Sequence, residues 1–127
     1  MLSEDMYQEN ILEHYRYPHN FGSMKNHTAS AREVNPLCGD IIEMQLQVES
    51  GKIMDVMFSG KGCAISRASA SMLTDEIKGK TIEEAKKIDK KNVLEMLGVE
   101  ISPARLKCAF LGLKALKVCL LTKDAKK

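Results

Sequence analysis

The run Ile42-Glu43-Met44-Gln45-Leu46-Gln47-Val48 places an apolar side chain at every second position. That is the period of a strand with one buried face and one wet face. Glu49-Ser50-Gly51-Lys52 then turns the chain, and residues 53–59 return with Met54, Val56 and Phe58 expected on one face. The two runs form an antiparallel hairpin. Its open ends are Cys38-Gly39-Asp40 and Gly60-Lys61-Gly62-Cys63, so strand pairing makes neighbours of residues far apart in the chain.

Upstream of the hairpin, Asn35-Pro36-Leu37-Cys38-Gly39-Asp40 sets a thiol and a carboxylate on either side of a glycine. Asn-Pro disfavours a helix and favours a turn. Gly39 lets the backbone bend with no side chain between the two groups. Residues 28–34 are compatible with a short strand leading into this loop. Further back, residues 4–17 read as a helix, with Ser3 as N-cap and Tyr7, Ile11, His14 and Tyr15 near one face. Pro18 stops it, and Asn20-Phe21-Gly22-Ser23 forms a turn. His14, His19 and His27 have no partners at metal-binding spacing, so structural or surface roles are expected for them.

Downstream, the period becomes helical at Ala64. Ile65, Ala68, Met72, Leu73 and Ile77 make an apolar stripe that Gly79 ends. Small residues crowd its first turns, which permits close backbone approach. Thr81 and Glu84 form a capping box ahead of a short helix. Asp89 caps another, with Ile88 and Val93 as a hydrophobic staple and Gly98 as its stop. Ser102-Pro103 is an N-cap followed by proline at the first helical position. The last helix is expected over residues 103–121, with Ala109, Leu113, Leu116 and Leu120 on its apolar face and Cys108, Gly112, Ala115 and Cys119 as a row of small residues beside them.

At 127 residues the chain suits one core, and residues 1–127 are expected to form a single domain. A net charge of +2, with lysines gathered only around residues 86–91 and in the tail, excludes a nucleic-acid footprint. No apolar run approaches the ~20 residues of a membrane span, and acidic Glu4, Asp5 and Glu9 do not fit a signal peptide. No membrane partner is expected, and a cytoplasmic protein is the default. There, four cysteines read as thiols or metal ligands rather than disulfides.

Three of the cysteines occupy distinctive places. Cys38 lies in a loop before a strand, Cys63 follows Gly-x-Gly at a helix start, and Cys108 lies early in the last helix. Free N–H groups and the helix dipole favour a thiolate at a helix N-terminus. Thiolates bind zinc and iron–sulfur clusters, and Asp40 completes a set of four ligands. A carboxylate among thiolates is a harder, more easily displaced donor, which points to a metal or cluster that is bound and then passed on. Cys119 lies eleven residues beyond Cys108, roughly 16 Å along a helix axis. It cannot share the site and is expected to pack in the core.

These motifs resemble the U-type iron–sulfur cluster assembly scaffolds, the IscU and SufU proteins and the N-terminal domain of NifU. The resemblance runs from His14-Tyr15-Arg16-Tyr17-Pro18-His19-Asn20 to the last helix. It rests on Asn-Pro-Leu-Cys38-Gly-Asp40, Gly60-Lys-Gly-Cys63-Ala-Ile-Ser66 and Pro103-Ala-Arg-Leu-Lys-Cys108. It implies an α+β fold, a small antiparallel β-sheet packed against helices, with the site at one exposed end. It also implies persulfide sulfur from a cysteine desulfurase, iron, a transient [2Fe–2S] cluster on Cys38, Asp40, Cys63 and Cys108, and delivery to apo-acceptor proteins. Zn²⁺ is expected at the same ligands. Cys63, on physical grounds, and Cys108, by resemblance, are both candidate persulfide acceptors. A homodimer bridging one cluster is a further expectation for so exposed a site.

Two positions depart from the IscU pattern. Lys107 stands where that branch has a histidine, and Ser102-Pro103-Ala104-Arg105-Leu106-Lys107 replaces its Leu-Pro-Pro-Val-Lys chaperone-docking motif. This argues against handover through a dedicated Hsp70 system. Pro-Ala-Arg resembles SufU, yet the stretch from Gly79 to Ser102 has no room for the extra segment typical of that branch. The leading reading is a scaffold, and the rival is a zinc-dependent sulfurtransferase. A purely structural zinc protein is disfavoured by the aspartate ligand.

Overall fold

A computed structural model describes residues 4–37 and 39–121. The expected N-cap Ser3, the Tyr7 side chain, Cys38 and the Lys-rich tail lie outside the described residues. The short strand ahead of the hairpin forms as β1 (Ala29–Asn35). It pairs antiparallel with β2 (Asp40–Glu49), which pairs on its other edge with β3 (Lys52–Lys61), giving the sheet order β1-β2-β3. Ser50 (φ 50°) and Gly51 (φ 77°) both adopt positive φ at the β2–β3 turn, as a tight hairpin turn requires.

Ile42, Met44, Leu46 and Val48 are all buried, as their alternation predicts. On β3 the expected face needs correcting. Val56 and Phe58 point inward, but Met54 is exposed and Ile53 takes its place in the core. The cause is a register shift. Gln47 pairs with Asp55 whereas Val48 pairs with Ile53, which leaves Met54 as the extra residue of a β-bulge. An inserted residue reverses the in–out order on its far side, and periodicity alone cannot show it.

The chain is bracketed by α1 (Glu4–Arg16) and α5 (Leu106–Leu121), with α2 (Ala64–Ile77), α3 (Ile82–Lys86) and α4 (Lys90–Leu97) between. α2 and α5 cover the apolar face of the sheet, α1 packs on α2, and α4 packs against both α2 and α5. The architecture is α+β. α3 opens with the predicted capping box of Thr81 and Glu84, and Asp89 caps α4 as expected, with Asn92 completing a box there too. Ile88 and Val93 are buried as the staple requires, and Gly98 closes α4 at φ 69°. The last helix starts later than expected, because residues Pro103–Arg105 wind as a tighter 3₁₀ turn before α5 begins. Among the described residues no helix is long and apolar enough to cross a membrane.

α2 is buried on nearly every side, which explains its small and hydroxyl residues. Ser69 Oγ donates to Ala109 O at 2.6 Å and Thr74 Oγ1 donates to Ser71 O at 2.6 Å, so the buried hydroxyls are satisfied by backbone. α5 crosses α2 so closely that a Cβ on Gly112 would lie 3.2 Å from both Cα and Cβ of Ala70. Gly112→Leu should therefore push the helices apart and cost about 1–3 kcal/mol by overpacking, read as a lower urea midpoint with an unchanged slope.

Candidate metal centre

Three elements deliver the described residues of the site. β2 begins with Asp40, which is buried at 4% exposure. β3 ends at Lys61, and after Gly62 the N-cap of α2 is Cys63 itself. α5 supplies Cys108 from its first turn, buried at 3% exposure. The pairing of Ile41 with Lys61 and Ile42 with Gly60 brings the first two together. Cys63 N–H then donates to Asp40 Oδ1 at 3.3 Å.

The glycines between these residues have steric reasons. At φ 133° a Cβ on Gly60 would lie 1.9 Å from Ile41 O, so only glycine permits the strands to pair to their ends. A Cβ on Gly62 would lie 2.4 Å from Ser66 Oγ and 2.9 Å from Asp40 Cγ. Ser66 Oγ itself donates to Cys63 O at 3.1 Å and lies 3.8 Å from Cys63 Sγ. Gly62 thus keeps the space in which carboxylate, thiol and hydroxyl meet.

The ligating atoms of Asp40, Cys63 and Cys108 lie within 4.8 Å of one another. Donors bonded at 2.0–2.3 Å around a four-coordinate zinc stand roughly 3–4 Å apart, so a small contraction would bring all three onto one ion. The donor set, two thiols and a carboxylate, fits zinc or iron. Cys38, the fourth expected ligand, lies outside the described residues. Lys61, Ala104 and Arg105 complete an open cleft around Gly39, Asp40, Gly62, Cys63 and Cys108.

Two further residues emerge from tertiary structure. Asn35 Nδ2 donates to Cys108 Sγ at 3.9 Å from the end of β1, a contact hidden by its distance in the chain. Lys107, beside Cys108 in sequence, does not line the cleft. It lines an apolar groove with Val34, Leu37 and Phe110 on the other flank of α5, because adjacent helical residues point about 100° apart. Arg105 is the basic residue of that segment that reaches the cleft. Cys119 is fully buried with Sγ 3.5 Å from Met44 O, and burial pushes its thiol up to about 12. It is a core residue, as its spacing indicated.

The family model of the NifU-like N-terminal domain matches residues 6–127. The chain belongs to that family. It is 39% identical over 119 residues to the iron–sulfur cluster assembly enzyme IscU of Drosophila melanogaster, covering 91% of this chain and 76% of that protein. It is 37% identical over 131 residues to the zinc-dependent sulfurtransferase SufU of Bacillus subtilis, covering 90% of this chain and 88% of that protein. A crystal structure of a candidate SUF-system scaffold from Fervidobacterium islandicum superposes with a TM-score of 0.77 at 29% identity, covering 94% of this chain and 99% of that one. This member of the NifU-like N-terminal domain family therefore carries relatives from both branches.

Gly62→Ala should displace the Asp40 carboxylate without unfolding the chain, since Gly62 does not occupy the positive-φ region. Cobalt(II) titration should show thiolate-to-metal absorption bands with affinity reduced about 10–100-fold, the usual cost of disturbing a ligand's support, and a far-ultraviolet circular dichroism spectrum like the parent's.

Proposed function

We propose that the 127 residues act as a single-domain scaffold on which an iron–sulfur cluster is assembled and from which it is handed on. The observation that carries this reading is the convergence of Asp40, Cys63 and Cys108, from three different elements, in a cleft open to solvent. A buried structural metal would need no such opening. Cys38, two residues before Asp40 in the sequence, is assigned as the fourth ligand. The cluster is cargo, a [2Fe–2S] unit in this reading, and zinc is an alternative occupant of the same donors. Three thiol ligands suit a reducing cytoplasm.

Sulfur enters as follows. A thiolate of the cleft attacks the terminal sulfur of a persulfide on a cysteine desulfurase, the donor's S–S bond breaks, and the donor leaves as its thiolate. The scaffold cysteine then carries the persulfide. Cys63, half-buried at the N-terminus of α2, is accessible for this attack, and Cys108 lies beside it to receive or share the sulfur. Lys61 and Arg105 line the same cleft and offset the growing negative charge. Reduction of sulfane sulfur to sulfide takes electrons from an external donor, and iron binds to the thiolates and Asp40. Apo-acceptor proteins then remove the cluster, with the oxygen ligand as the weakest attachment.

The second reading is a zinc-dependent sulfur relay, favoured by Arg105 at the cleft and by the Bacillus relative. Anaerobic incubation with ferrous iron, cysteine, a cysteine desulfurase and a thiol reductant separates the two. The scaffold reading expects visible [2Fe–2S] absorption that passes to an apo-ferredoxin. That absorption should be lost in Cys38→Ser, Cys63→Ser and Cys108→Ser and kept in Cys119→Ser. Desulfurase stimulation by the zinc-loaded protein without cluster formation would establish the relay instead. Within the scaffold reading, Asp40→Ala should slow transfer to the apo-ferredoxin, and an equal or faster rate would refute the role given to the carboxylate.

A further inference from the structure

A second group of potential metal ligands lies far from the cleft. Packing of α1 on α2 brings His14, His19 and Asp75 together, with one ligating atom of each within 4.8 Å of the others. Asp75 is twelve residues beyond Cys63 on α2, roughly 18 Å along the helix axis. The two groups therefore cannot share an ion.

Each member of the group is held by a polar neighbour. His14 is buried at 8% exposure, with Nδ1 2.6 Å from Ser71 Oγ. When Nδ1–H donates to that hydroxyl, Nε2 keeps its lone pair. The same Ser71 Oγ accepts the backbone N–H of His19 at 2.7 Å, which fixes the start of the turn after α1. Asp75 Oδ1 accepts from Asn20 Nδ2 at 3.0 Å, while Asp75 Oδ2 lies 2.5 Å from His19 Nδ1. Metal-binding imidazoles and carboxylates are characteristically oriented by outer hydrogen bonds such as those of Ser71 with His14 and of Asn20 with Asp75. A shallow pocket lined by Asn10, His14, Asp75 and Glu76 provides a path from solvent.

We propose that His14, His19 and Asp75 form a second, thiol-free site for a borderline divalent transition cation, of which zinc is the representative. Two imidazoles and one carboxylate suit zinc, cobalt(II) or ferrous iron better than magnesium or calcium, which prefer oxygen donors. Three protein ligands leave a fourth position to water. The ion takes the place of the proton between His19 and Asp75 and parts those two atoms to the roughly 3 Å that shared coordination needs. Both side chains are about half exposed, at 49% and 47%, and free to make that adjustment. Occupancy ties α1 and the following turn to α2.

The test is the zinc stoichiometry of the tag-free, full-length protein, measured by competition with a chromophoric chelator and followed in parallel by cobalt(II) absorption. The expected result is two equivalents in the parent and one in His19→Gln and in Asp75→Asn. Both variants should keep the thiolate–cobalt bands of the cleft, and both substitutions are at exposed positions where folding is not at stake. Imidazole nitrogen resonances of His14 and His19 should shift on the equivalent that brings no thiolate bands. A single equivalent in the parent that brings the thiolate bands overturns the proposal. So does a second equivalent that survives in both variants. Loss of the thiolate bands alone would count against the cleft assignment and leave this site standing.

Discussion

The antiparallel register that sets Ile41 against Lys61 and Ile42 against Gly60 determines where the site can be, because it carries the loop before β2 and the loop after β3 to one edge of the sheet. Asp40 and Cys63 meet there through a backbone hydrogen bond, and α5 crosses the same edge with Cys108. A slip by one residue would turn Ile42, Met44, Leu46 and Val48 out of the core. Their burial therefore protects the geometry of the candidate ligands. Gly60 is the steric condition for that register, since any side chain there would run into Ile41 O.

Local chemistry was legible in the sequence, and features set by long-range packing were not. Alternation defined β2, the Thr81–Glu84 box and the Asp89 cap defined the starts of α3 and α4, and Gly98 marked an end because only a residue tolerant of positive φ stops a helix that way. Met54 was misplaced because a bulge costs one residue and leaves no mark on composition. The 3₁₀ turn at residues Pro103–Arg105 was hidden because Ser102-Pro103 announces a helical start without specifying its pitch. At the site, glycine-flanked motifs pointed to Asp40 and Cys63 and the Pro103–Cys108 motif to Cys108, whereas Asn35 beside Cys108 and the cluster of His14, His19 and Asp75 depend on how strands and helices pack. Spacing rules see only neighbours along the chain.

The placement of Lys107 and Arg105 changes how the last helix is read. Sequence adjacency makes Lys107 the natural counterpart of whatever acts beside Cys108. In three dimensions it faces a groove with Phe110, while Arg105, two residues earlier and on the 3₁₀ turn, lines the cleft. A residue's distance from a ligand in the chain is a poor guide on a helix, where one step rotates the side chain by about 100°. The cationic side chains that line the cleft are thus Arg105 and Lys61.

α2 links these observations. Its serines and threonine are modest in helix propensity, and a segment of 14 residues would be marginal alone. Packing supplies the stability: the sheet, α1 and α5 all press on it, and small side chains are what such close approach allows. The hydroxyls this demands are then available to orient other groups. Ser66 meets Cys63 at the N-terminal end, and Ser71 and Thr74 meet the α1 turn further along. A helix packed by the sheet, α1 and α5 thus sets the backbone positions of Cys63 at one end and Asp75 near the other, with small residues where its neighbours approach.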